Sequence, residues 1–94
     1  RLTMELKLQF DDELIALGGH EFGSHIWETQ VEQYQENPNI TLVFPDHIEM
    51  VTTLFGRGLL GSEINKLGLN AVKRKYTIQS KNKGFAKQFW NCWD

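Results

Sequence analysis

The chain has 94 residues, 40% of them hydrophobic and 23% charged, which bounds it to one globular domain with a modest core and argues against disorder. No apolar run approaches the ~18 residues of a membrane span, no signal-peptide pattern opens the sequence, and the lone Cys92 has no internal disulfide partner, so a reducing cytoplasm is the expected setting. The net charge of −2 conceals a division: residues 1–49 hold ten acids against Arg1 and Lys7, and residues 50–94 hold eight bases against Glu63 and Asp94. Such a split can steer a charged partner; the plainer expectation is that the halves interleave in the fold and the charges mix.

Met4 is the first methionine, so residues 1–3 read as a cloning remnant or as the edge of a longer protein. Residues 2–10 alternate apolar and polar side chains, the period of a half-buried strand. Asp11 and Asp12 mark a turn, and residues 14–17 form a short apolar segment. Gly18 and Gly19 then break the chain before a helix predicted over 20–35, in which Phe22, Ile26, Trp27, Val31 and Tyr34 recur at three- and four-residue steps. Pro38 ends it, because proline disfavours helix in the residue before it.

Residues 40–44 are a compact apolar run suited to a strand buried on both faces. Pro45 and Asp46 stop it, and Ile48, Met50 and Val51 lead into a second helix over 53–67. Thr52 or Thr53 can cap that helix, Phe55, Leu59, Leu60, Ile64 and Leu67 supply its buried stripe, and Gly68 is a natural stop. Residues 76–78 read as a last strand, and Phe85, Ala86, Phe89, Trp90 and Trp93 as the apolar side of a final helix. Strands separated by helices imply crossovers and partly parallel pairing. The expectation is a single α/β domain over 1–94, with a small mixed sheet of about four strands, two main helices and a C-terminal helix, and with Leu42, Phe44, Leu60, Ile64 and Ile78 in its core.

Gly56, Gly58 and Gly61 have the G-x-G-x-x-G spacing of a dinucleotide loop. The context is wrong for that role: eleven residues separate Phe44 from Gly56, and Lys81 stands where a ribose-binding acid belongs. Small residues that let a helix lie close to its neighbour are the better reading. His20 and His25 are five apart, so on a helix they point about 140° away from each other and cannot share a metal; His47 is the only other histidine. Asp11, Asp12 and Asp46 sit at strand ends, as in phosphoreceiver pockets, but the chain is short for such a domain and carboxylates at turns usually cap or face water. No metal and no cofactor are expected, and no assembled nucleophile and base suggest an enzyme.

Several of these features together resemble the STAS-like family of unknown function, bacterial relatives of anti-sigma factor antagonist domains. The resemblance runs from Gly18 to Ser80. It rests on residues 19–23, the strand 40–44, the stretch 47–55, Leu60-Gly61, residues 66–68, the basic run 73–75 and the strand 76–78. It implies a cytoplasmic, regulatory, non-catalytic protein-interaction module that docks a partner, such as a kinase-like regulator, at the loop before the second helix and at its first turn. The implied contact residues are Asp46, His47, Ile48, Glu49, Met50, Thr52, Thr53 and Phe55. Thr52 falls where relatives that switch partners carry a phosphorylated serine, which makes it the candidate phosphoacceptor. The chain departs from that pattern with Val51 in place of aspartate and Leu54 in place of glycine, and helix capping is the expected role of Thr52 or Thr53.

The alternative is a nucleic-acid-associated factor whose basic residues Lys73, Arg74, Lys75, Lys81, Lys83 and Lys87 are interleaved with aromatic rings. Most of those rings fit a helix burying one face, so they are expected in the core.

Overall fold

The computed structural model describes residues 3–93; Arg1, Leu2 (the first residue of the expected first strand) and the acid Asp94 fall outside the described residues. The elements in chain order are β1 (Met4–Lys7), β2 (Ala16–Leu17), α1 (His20–Ile26), β3 (Ile40–Val43), β4 (Met50–Val51), α2 (Thr53–Leu67), α3 (Leu69–Lys75), β5 (Tyr76–Gln79) and α4 (Phe85–Trp90). A π-helical turn over Trp27–Val31 and a 3-10 turn over Glu32–Tyr34 prolong α1, and a 3-10 turn over Asn91–Trp93 follows α4. Among the described residues, no helix is long and apolar enough to cross a membrane.

The α/β class follows the sequence; the sheet does not. Instead of one mixed sheet of about four strands there is a three-stranded sheet in the order β1-β3-β5 and a separate two-stranded one, β2-β4. All three pairings are parallel. The physical reason is that each of β1 and β3 is followed by a loop and then a second, very short strand, and the two loops travel in step, so β2 and β4 pair with each other rather than joining the main sheet. Sequence reading also misses α3, which buries only Val72 and so shows no apolar stripe.

Strand order repeats chain order, so both crossovers advance in the same direction. Right-handed crossovers then put α1 and α2 on the same face of the sheet, where they pack directly on each other. Ile40, Leu42, Tyr76 and Ile78 point into that layer and are buried. By the two-residue period, Glu5, Lys7, Thr41, Val43, Thr77 and Gln79 share the opposite face. Beyond the sheet, Phe44 continues the core against Phe85 (ring centroids 4.9 Å apart) and stacks on Phe10 at 6.1 Å. Leu42, Phe44, Leu60 and Ile78 are buried as expected, and Ile64 packs half-buried against them.

The glycine-rich stretch of α2 has a packing explanation. A Cβ on Gly58 would overlap the His20 carbonyl oxygen and lie 3.0 Å from Ser24 N, and one on Gly23 would overlap the Phe55 carbonyl oxygen and lie 2.8 Å from Leu59 N. The two glycines are therefore the mutual contact at which α1 and α2 approach backbone to backbone. Gly56 makes room for the Cys92 side chain. The motif shapes the core and leaves no free loop for a phosphate.

Candidate docking site

The residues ahead of α2 are held from three sides. Asn82, in the loop after β5, donates through Nδ2 to the carbonyl oxygens of Ile48 (2.6 Å) and Asp46 (3.1 Å). The His47 Nδ1 lies 2.7 Å from the Leu14 carbonyl oxygen, which makes Nδ1 the protonated nitrogen because that oxygen only accepts. Val51 N donates to Gln88 Oε1 of α4 (3.1 Å) and Thr52 N to the Leu17 oxygen (2.8 Å). These bonds fix the stretch from Asp46 to Thr52 in place, and only some of the residues expected at a docking surface there are exposed.

Ile48 and Phe55, expected at a docking surface, have no exposed area and belong to the core. Ile48 turns inward because its carbonyl is tied to Asn82 on the other side; Phe55 turns inward because it heads the buried stripe of α2, against Phe22 at 5.4 Å. Asp46, Glu49, Met50, Thr52 and Thr53 are exposed, and His47 is half-buried. Two apolar neighbours join them: Leu54 is 56% exposed and Ile15, whose carbonyl accepts from Glu49 N and Met50 N, is 56% exposed, beside Met50 at 48%. Neither is among the contact residues the resemblance implies; Ile15 is brought here only by the β2–β4 pairing. Thr52 is the N-cap of α2, accepting from Phe55 N at 3.4 Å, and its exposed hydroxyl keeps its own proton free to donate.

The basic set scatters in role. Lys75 Nζ is committed to Glu63 Oε2 (2.7 Å) and to the Gln35 carbonyl oxygen (2.5 Å). Lys81 pairs loosely with Asp46 at 3.7 Å, and Lys73 lies 5.9 Å over the Trp90 ring. Arg74, Lys83 and Lys87 are exposed. Of the interleaved rings, Tyr76, Phe85 and Phe89 are buried and Trp90 and Trp93 half-buried, so the aromatic series is mostly core.

Glu63 was missed by sequence, although it stands four residues after Leu59 and one before Ile64 on the buried stripe. It is fully buried, with Oε2 accepting from Tyr76 OH at 2.6 Å and from Lys75. Burial alone would raise its carboxyl, but the Lys75 and Tyr76 hydrogen bonds and the charges of Lys75 and Lys66 outweigh it and hold the group below its ordinary value. Burial pushes the Cys92 thiol up, against a smaller opposing pull from the Gly56 N–H and Arg57, which makes it a poor nucleophile. Asp11 accepts from Glu13 N (2.9 Å) as a turn residue. Among the described residues no three His, Cys, Asp or Glu side chains converge as a metal site.

A second feature lies along the outer side of β1. A cleft of about 400 Å³ runs between Leu6, Lys7 and Gln9 of that strand region and Gln30, Gln33 and Tyr34 of the helical segment. At one end the Gln30 side chain pairs with the Gln9 backbone, Nε2 donating to the Gln9 oxygen and Gln9 N donating to Oε1, both at 2.8 Å.

Comparison of the chain with known protein families, with curated proteins and with solved structures finds no match in any of the three.

Proposed function

We propose that the chain is a non-catalytic, STAS-like regulatory module that docks a protein partner through the rim before α2. The observation that carries this reading is the grouping of Ile15, Met50 and Leu54, three of the four large hydrophobic side chains left exposed among the described residues, around the Thr52 cap. An apolar patch framed by Glu49, Thr52 and Thr53 has the make-up of a small interface, with a few apolar anchors inside a polar border. The likeness of residues 47–55 to the family stretch supports the same surface, and Thr52 is the proposed phosphoacceptor. A phosphate there would add roughly −1.5 to −2 charge at a helix N-terminus and so change which partner fits.

The test is affinity co-purification of wild type beside a Met50→Asp, Leu54→Asp variant shown by circular dichroism to fold. The expected result is loss of defined partner proteins from the variant alone, with a Thr52→Glu chain changing the partner set. If the variant keeps every partner, this rim is not the docking surface. Nucleic acid retained by wild type with steep salt dependence would favour the basic half instead.

A further inference from the structure

Both long edges of the main sheet are open. Met4 N donates to the Asn39 oxygen (2.8 Å) and Leu8 N to the Val43 oxygen (2.9 Å), so by the two-residue period Glu5 and Lys7 turn their backbone N–H and C=O away from β3, toward the cleft. On the other side, Phe44 N donates to the Gln79 oxygen (2.9 Å), which turns Ile78 outward from β5. Among the described residues no hydrogen bond covers these outward groups. Open edges of this kind are templates for another strand.

The charges decide which strand. Every one of the ten acids in residues 1–49 is exposed, and so is every base in residues 50–94 except the half-buried Lys75. The single ion pair between the two halves, among the described residues, is Lys81 with Asp46. In the main sheet strand order follows chain order, so β1 and β3 of the first half lie to one side and β5 of the second half to the other; the halves meet where β2 pairs with β4 and α1 packs on α2. The β1 side is acidic on balance, with Glu5 on the strand and Glu28 and Glu32 exposed on the segment that walls the cleft, against Lys7, the one charged residue among those described that lines the cleft itself. The β5 side is basic, with Lys73 and Arg74 on the helix leading into the strand and Lys81 and Lys83 just after it.

We propose that copies of this chain associate head to tail, the basic β5 edge of one entering the cleft along the acidic β1 edge of the next. Pairing β1 with β1, or β5 with β5, would bring like charges together. Pairing β5 with β1 joins unlike charges and continues the parallel sheet with its helices on one face. The two edges are on opposite sides of the sheet, so each copy has one donor side and one acceptor side, and the contact is heterologous: it propagates into a chain or closes into a ring.

Sedimentation velocity tests this on the full chain and on two surface variants, Glu28→Lys/Glu32→Lys and Lys73→Glu/Arg74→Glu, each checked for fold. At low salt the wild-type mean mass should rise with concentration beyond twice 10.9 kDa, and should return to the single-chain value near 1 M salt, where screening acts within about 3 Å. Each variant alone should stay monomeric. Mixed, they should assemble again, because the intact edges still match and the two reversed edges, one from each variant, are once more of opposite charge. A wild-type chain that stays monomeric at low salt overturns the proposal, and so does a closed dimer that only one variant disrupts. Partner capture through Met50 and Leu54 is read separately, so failure of one reading leaves the other standing.

Discussion

The Tyr76 hydroxyl donates to Glu63 Oε2 at 2.6 Å, joining the first residue of β5 to the third turn of α2. Both side chains are buried, and Lys75 closes the group from the edge. The buried charge is met on Oε2 by Tyr76 and Lys75, while Oε1 accepts no hydrogen bond among the described residues and has only the Lys66 ammonium at 3.5 Å; the pair ties the start of β5 to α2. Tyr76→Phe should cost about 1.5–3 kcal/mol, the range for a hydrogen bond to a charged group, seen as a lower urea midpoint with unchanged slope.

The same pair contributes to the pH dependence of stability at both ends. The Glu63 carboxyl is lowered in the folded state, so its contribution is present above the unfolded value of about 4.3 and is lost as pH falls through the folded one. The Tyr76 phenol is raised, by burial first and then by Glu63, so its contribution is present below about pH 10 and is lost as pH climbs further. Melting temperature against pH should show a shallower acid limb in Glu63→Gln and a shallower alkaline limb in Tyr76→Phe.

Two glycines of one motif should respond in opposite directions to alanine. Gly58→Ala drives a methyl into the backbone of α1 and should destabilise by about 1–3 kcal/mol or more. A Cβ on Gly61 meets nothing within 4 Å, so Gly61→Ala should gain up to about 1 kcal/mol from helix propensity. Thermal melts of the two variants side by side check both signs.

Leu60→Ala removes a fully buried side chain and should cost about 2–5 kcal/mol. For a domain this small, that unfolds a large share of the molecules at 37 °C, as proton NMR dispersion would report.

Thr52→Ala should cost about 0.5 kcal/mol, the lower end for an N-cap, since the bond to Phe55 N is long at 3.4 Å. Thr52→Ser should restore it.

The sequence made the bounds of α2 legible to the residue, because Thr52 and Gly68 punctuate both ends, but Leu67, expected on its buried stripe, is exposed at the last turn. It gave the extent of α1 nearly as well, but not its relaxation into π and 3-10 turns after Ile26, which leave the apolar spacing almost unchanged. β4 was hidden because two residues carry no period. Its consequence, the arrival of Ile15 beside Met50, is a long-range pairing that no local pattern encodes. The resemblance implies Ile48 and Phe55 as contact residues, although Phe55 also belongs to the predicted buried stripe; inward and outward alternate there over single residues, and one step decides the side. The division of charge was visible in the sequence, but which strand stands at each edge of the main sheet was not.

The Gln30 side chain does for Gln9 what a neighbouring peptide would do, presenting a carbonyl and an N–H at 2.8 Å from a residue whose own backbone belongs to a helix. It completes the edge without offering a new one, and so acts as a full stop at the end of β1. Any strand laid along that edge runs out of partners at Lys7, and a seam two residues long has a short lifetime. An assembly joined this way dissolves as readily as it forms, with its extent governed by how crowded the chains are and by the salt around them.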